Sequence, residues 1–456
     1  MKLPVVERVQ PALADAPPVP TMPDLAQGRL SNGIEWLHVE RPGLPLVDVL
    51  IVVRAGADLD SPVTAGLASL TAELLEEGTH ARTGLEVAAS IDHLGASLSI
   101  RPGWDETSIG LHTLAPRLSD GLLITADVLR NASFPDAEVS RLREERRASL
   151  LQERDEPTAI AARALAESIY GNAHPYGTAP RGTRASVATL DRHALATFHR
   201  VRYHPSSVFT VSVGEVPAQQ MADQLERVLG DWTADATGQG PIPWVAAPNG
   251  VIIHLVDRPG APQSEIRIGC AGPHRATPDY AQLVVLNTIL GGAFTSRLNL
   301  KLREEKGFTY GARSHFAFRR GPGPFVAGTA VATPNTAEAV QDALREIARL
   351  RDEPVPATEL ERARNYLALG LPRRIETGSA MAAQLADLHL HGLDPAELVN
   401  FVTRVREVTS EDILETARTW LDPSAMSVVV VGDAAAARGP LETLRLGPVQ
   451  PCVVET

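Results

Sequence analysis

Short apolar runs bounded by glycine and proline alternate along this chain with longer stretches in which leucines recur every three or four residues. Leu46 to Arg54 has the continuous apolar character of a buried strand, and Met426 to Val431 has the same strand length. Leu67, Leu70 and Leu74 recur at helical spacing up to Gly78, and Asp60-Ser61-Pro62 supplies a cap and a first-turn proline for that helix. Pro135 to Glu153, dense in Arg and Glu, predicts a helix with a solvated face. No apolar run approaches the roughly 18 residues of a membrane span, so none is expected.

The pattern occurs twice. Gly33-Ile-Glu-Trp-Leu-His-Val-Glu-Arg-Pro-Gly-Leu-Pro returns as Gly250-Val-Ile-Ile-His-Leu-Val-Asp-Arg-Pro-Gly-Ala-Pro, 217 residues later. Pro205-Ser-Ser-Val-Phe-Thr-Val-Ser-Val-Gly returns as Pro423-Ser-Ala-Met-Ser-Val-Val-Val-Val-Gly, 218 residues later. Two distant anchors with nearly one offset argue for internal duplication. The expected organisation is an extended Pro-rich arm over 1–27 with order beginning near Arg29, a domain over 28–235, a linker over 236–247, a homologous domain over 248–445, and a tail over 446–456. Each half opens on a strand hairpin turned at Arg-Pro-Gly, continues through helices and a mid-domain strand, and closes on the Pro-led strand. Hairpins with clustered helices, rather than strict strand-helix alternation, predict an α+β fold with a largely antiparallel sheet in each half.

At 456 residues the chain has length for two such cores, and 44% hydrophobic with 21% charged residues is a globular, soluble balance. The formal charge of -12 disfavours nucleic acid, which binds clustered cations. Cys270 and Cys452 are the only cysteines, so a disulfide scaffold or thiolate zinc knuckle is excluded. His389 with His391 and His199 with His204 are the closest histidine pairs, and neither has metal-site spacing with an accompanying Glu. No signal-peptide pattern opens the chain, which leaves cytoplasm, or periplasm after signal removal, both open.

The stretch Gly66-Leu-Ala-Ser-Leu-Thr-Ala-Glu-Leu-Leu-Glu-Glu-Gly-Thr79 resembles the zinc-site helix of the pitrilysin and insulysin type of zinc peptidases, the inverzincins that include mitochondrial processing peptidase. In that family Gly-Leu-Ala precedes His-x-x-Glu-His, and a second helix far downstream adds a zinc-binding Glu. Carried onto this sequence, the two zinc-histidine positions are Ser69 and Glu73, the general-base position is Ala72, and the distant carboxylate falls near Ser149, with Glu145 and Glu153 a turn to either side. A serine hydroxyl is a poor zinc ligand and alanine takes no proton, so no metal and no cofactor are expected in this chain. Glu73 reads as a polar-face residue beside Glu76 and Glu77. An independent hydrolase using Ser69 as nucleophile would need a base within reach, and none is evident.

The second half carries Leu290-Gly-Gly-Ala-Phe-Thr-Ser-Arg-Leu-Asn-Leu-Lys-Leu-Arg-Glu-Glu-Lys-Gly-Phe-Thr-Tyr-Gly311, which is similar to the family throughout. Gly291 and Gly292 should break the chain after a helix from about Asp279. Thr295 or Ser296 should cap the next helix, and Gly307 should end it before a strand near Phe308 that Tyr310 opens. The resemblance implies that Arg303 and Tyr310 reach across a chamber and polarise the scissile carbonyl at a partner's zinc, with Gly291 and Gly292 as a turn near substrate. Arg297 reads as structural, and His174-Pro-Tyr-Gly177 as a rigid turn. The family builds clam-shells, so the implied role is a non-catalytic subunit: half of a heterodimeric zinc endopeptidase, inactive alone, paired with a His-x-x-Glu-His subunit that holds the zinc, and binding peptides. The alternatives are a structural scaffold or core subunit, or a homodimeric peptide-binding protein.

Overall fold

The computed structural model describes residues 21, 23–234, 240–245 and 250–454. Twelve strands among these form two six-stranded mixed sheets. The first contains β1 (Leu25–Arg29), β2 (Glu35–Glu40), β3 (Leu46–Val53), β4 (Ser97–Pro102), β5 (Thr107–Leu114) and β6 (Val208–Gly214) in the order β1-β2-β6-β3-β5-β4. The second contains β7 (Ile252–Asp257), β8 (Gln263–Ala271), β9 (Ala312–Phe316), β10 (Pro324–Ala332), β11 (Ser427–Gly432) and β12 (Val449–Pro451) in the order β12-β7-β11-β8-β10-β9. Most pairings are antiparallel. The exceptions are β2 with β6, β7 with β11, and β7 with β12.

The expected hairpins at Arg-Pro-Gly do not form. In each half the late Pro-led strand inserts between the two strands that flank that turn, β6 between β2 and β3 and β11 between β7 and β8. Every residue of β6 and of β11 is buried, and a strand buried on both faces is most stable at the sheet centre, where both edges are hydrogen-bonded and both faces covered. Order begins earlier than Arg29, because β1 pairs antiparallel with β2. The expected tail also joins a sheet, since β12 lies parallel to β7. Residues 1–20 and 22 of the expected arm, and 235–239 and 246–249 around the expected linker, lie outside the described residues.

Alternation along β3 and β6 sorts side chains to opposite faces. Val47, Val49, Ile51 and Val53 join a core built from the first half's own helices. Phe209, Val211 and Val213 face Met381, Leu385 and Leu388 of the helix Gly378–Leu390, which belongs to the second half. The reciprocal contact places Ile160, Ala164 and Leu165 of the first half's helix Pro157–Tyr170 against Val429 and Val431 of β11. Each sheet is thus covered on one face by its own half and on the other by a helix exchanged from its repeat. The helical run Tyr280–Glu305 is long and apolar enough to cross a membrane by length and composition. It is largely buried in the second half's core, where Leu283, Leu286, Leu290 and Leu298 join the main apolar cluster.

Candidate functional site

The helix expected after Asp60-Ser61-Pro62 is built in two steps. Ser61 forms a capping box with Thr64 around the 3-10 turn Pro62–Thr64, and the α-helix Leu67–Glu73 starts only after Gly66, whose φ of 92° needs glycine. The carboxylate of Asp60 accepts the N–H of Gly66 at 2.9 Å and of Ala68 at 3.0 Å, so it caps that helix. Burial pushes the Asp60 carboxyl up to about 7, against the opposing pull of these N–H groups. A 3-10 turn, Leu74–Glu77, closes the segment at Gly78.

This helix presents Ser69 and Glu73 toward the helix Asp136–Glu153, with Ala72 buried. Between them stands Arg146. Its side chain is 2% exposed, and one guanidinium nitrogen donates to Ser69 Oγ at 3.0 Å and to the Arg181 carbonyl at 3.1 Å. The other lies 2.5 Å from a carboxylate oxygen of Glu73, which is 40% exposed. Ser69 donates its own proton to the Pro180 carbonyl at 2.8 Å. Ser149 accepts from Arg181 at 3.2 Å, and Arg181 also pairs with Glu153. Glu145 pairs with Arg141 instead. The structure therefore brings Ser69, Glu73 and Ser149 into one neighbourhood and fills it with two guanidinium groups.

These residues do not fit a zinc ion. Zinc takes lone pairs from imidazole, thiolate or carboxylate near 2 Å; here one oxygen belongs to a hydroxyl already donating to a carbonyl, and the carboxylate is paired with a buried cation. The Ser69 hydroxyl is equally unsuited as a nucleophile, with its proton on a carbonyl and a guanidinium rather than a base beside it. Among the described residues no group of three or more His, Cys, Asp and Glu side chains converges. His389 pairs with Glu35 at 2.8 Å, His391 lies 3.6 Å from Asp387, and His199 bonds the Leu129 carbonyl at 2.8 Å.

Arg146 escaped the sequence reading because its helix is so rich in Arg and Glu that it reads as a solvated face, and Arg181 because it lies in a turn outside any periodic pattern. The available signal was register: Val139, Arg146 and Leu150 are that helix's buried residues, which places an arginine in an apolar stripe, where it requires a buried partner.

In the second half, Gly291 and Gly292 end the helix Tyr280–Asn287 in a π-turn, Thr288–Gly292, and the chain breaks there as expected, with Ala293 extended. A Cβ at Gly291 would stand 2.3 Å from the backbone nitrogen of Ser314, so glycine permits the turn to lie against β9. Ser296 precedes the short helix Arg297–Asn299 without a side-chain capping bond. Arg297 is held by two bonds to the Glu359 carboxylate, at 2.9 and 2.8 Å. Asn299 bonds the Phe294 carbonyl at 2.7 Å and accepts from the Ala312 N–H at 3.3 Å. Around this anchored backbone the side chains of interest stay out. The Arg303 side chain is 38% exposed, its guanidinium 4.7 Å from the Phe294 ring centre and 3.4 Å from Glu304. Tyr310 is 96% exposed and sits in a bend before β9, which begins at Ala312 rather than near Phe308. His174 accepts the Tyr176 N–H at 3.0 Å, which leaves its other ring nitrogen to donate to the Pro243 carbonyl at 3.0 Å, so it fixes the turn Pro175–Gly177.

Comparison with known proteins gives two family matches. Residues 38–178 match the model described as insulinase, peptidase family M16, and residues 189–367 match the one described as peptidase M16 inactive domain. A Rickettsia bellii protein described as an uncharacterized zinc protease is 21% identical over 88% of this chain and 96% of its own length. The crystal structure of a peptidase M16 inactive domain from Pseudomonas fluorescens superposes with a TM-score of 0.84 at 24% identity, covering 90% of this chain and 98% of the other. A Helicobacter pylori protease structure gives a TM-score of 0.84 at 17% identity, over 90% of this chain and all of the other.

Proposed function

Because the chain belongs to the M16 peptidase family, we propose that it is a non-catalytic M16 subunit that pairs with a His-x-x-Glu-His chain, closes a peptide chamber and supplies Arg303 and Tyr310 to the partner's zinc centre. The observation that carries this reading is the contrast between Glu73, held by a buried arginine, and Tyr310, 96% exposed beside an anchored turn. A guanidinium and a phenol are suited to a developing oxyanion: both donate hydrogen bonds, and one carries fixed positive charge. Peptide would be held in part by backbone pairing at a sheet edge, such as β4 or β9, each of which ends its sheet. Zinc and the water it activates belong in this scheme to the partner.

The test mixes this chain with a His-x-x-Glu-His homologue from the same genome and follows peptide hydrolysis. The chain alone should be inert and the mixture active. Arg303→Ala and Tyr310→Phe should lower turnover of the complex without preventing assembly, since neither residue holds the fold. Full turnover by both variants would remove the role in trans.

A further inference from the structure

We infer that the Arg146 guanidinium is the resident cation of the first half, occupying the space between positions 69 and 73, clamping the surrounding elements and excluding a divalent metal. This rests on reading those positions as the family's metal positions, but it concerns only residues of this chain.

The geometry is that of a charge built into the fold. Arg146 comes from the helix Asp136–Glu153 and meets two other pieces of chain: Ser69 and Glu73 on the helix Leu67–Glu73, and the Arg181 carbonyl on the segment that follows Pro175–Gly177. A planar fork spreads its charge and donors over two terminal nitrogens, so that one reaches Ser69 and the Arg181 carbonyl while the other faces Glu73, whereas an ammonium gathers its donors on a single nitrogen. The same segment is locked from the other side. Ser69 bonds Pro180, a Cβ at Gly182 would lie 2.3 Å from the Ala65 carbonyl, and Ser186 bonds that carbonyl at 2.8 Å.

Exclusion of a metal follows from the same contacts. A divalent ion placed between residues 69 and 73 would face a fixed positive charge within hydrogen-bond distance, in surroundings that screen poorly. The neighbouring position at Ser149 is covered by a second guanidinium, that of Arg181. Restoring ligand side chains at 69 and 73 should therefore not restore metal binding while Arg146 remains.

The experiment measures zinc affinity, by competition with a chromophoric chelator, for purified full-length variants. Ser69→His with Glu73→His should bind zinc no more tightly than the unmodified chain. Adding Arg146→Leu to that pair should tighten binding about 100-fold or more. Equal zinc affinity with and without Arg146 would overturn the exclusion. Arg146→Gln, neutral but still a donor to Ser69 and the Arg181 carbonyl, gives the same readout if the leucine variant does not fold. For the clamp, Arg146→Leu alone should melt below the unmodified chain and Arg146→Lys in between; identical melting of all three would overturn it. Neither readout uses a partner, so a failed mixing experiment and a failed clamp are separable.

Discussion

The two halves of this chain share one sheet plan but place their polar side chains oppositely. In the first half, Ser69, Glu73 and Ser149 are tied to Arg146 and Arg181. In the second, Arg297 and Asn299 hold the backbone while Arg303, Phe294 and Tyr310 stay accessible. A network organised around buried guanidinium groups is committed to the fold, whereas exposed side chains on an anchored turn contribute little to stability and remain free to touch a ligand. The duplicated sheet therefore says little about what either half does; the loops and helix faces grafted on it decide.

The sharpest way to break the comparison is to test whether the halves are separate units at all. Phe209 on β6 is fully buried, 4.5 Å between ring centres from His389 of the second half's helix. Phe209→Ala should cost about 3–5 kcal/mol in urea unfolding, and the exchanged helices predict that both halves melt in one transition. Two resolved transitions, with only the first moved by the variant, would show independent halves. Next in size is Arg297→Ala, which strips a nearly buried arginine from Glu359 and should cost about 3 kcal/mol by the same measurement. A negligible change would place Arg297 with the accessible group instead.

A smaller effect distinguishes the halves where they meet. There the first half contributes carboxyls, Asp58, Asp105 and Glu106, and the second contributes Arg320, which pairs with Asp58 at 2.5 Å, along with Arg275 and Asp387, paired at 2.9 Å. Burial, aided by neighbouring Asp105, Asp387 and Asp58, pushes the Glu106 carboxyl up to about 7, and burial pushes Asp58 up to about 6. In the unfolded chain such groups titrate near 4. A carboxyl raised on folding contributes stability below its unfolded value and loses it as pH rises through its folded value. Buried histidines held below their usual range, His199 and His391 among them, act in the opposite direction on acidification, so the variant isolates the effect better than the pH profile of the unmodified chain. Glu106→Gln should be more stable than the unmodified chain at pH 8, by on the order of 1 kcal/mol, and the difference should shrink as pH falls through 7 and vanish only below about pH 4. A difference that is constant across that range would mean Glu106 is ionised throughout.

How much of this was legible in the sequence depended on what each signal measures. The duplication was visible because strands and Arg-Pro-Gly turns keep their residue types when repeated. Strand order was not, because periodicity reports which faces are apolar and not which strand inserts between two others; the all-buried β6 and β11 were the available hint. Likewise, Arg297 could be read as structural from its place after Ser296, next to the Gly291-Gly292 turn, whereas Arg146 was hidden in a run of charges whose buried member only the packing identifies. Tyr310 was placed in a strand because aromatic residues favour strands, yet the Thr309 hydroxyl accepts from the Gly311 N–H at 3.1 Å and keeps that stretch a bend.

The smallest expected effect is also the most discriminating. If the second half's group is reserved for contact rather than for folding, Arg303→Ala and Tyr310→Ala should each change unfolding free energy by no more than about 0.5 kcal/mol. The Phe294 ring beneath the Arg303 guanidinium and the single contact to Glu304 are both at the surface, where such interactions are weak. Urea unfolding of both variants, run beside Arg297→Ala, measures this directly. A loss at Arg303 comparable to that at Arg297 would make it a helix-end brace, and the contrast between the halves would then rest on Tyr310 alone.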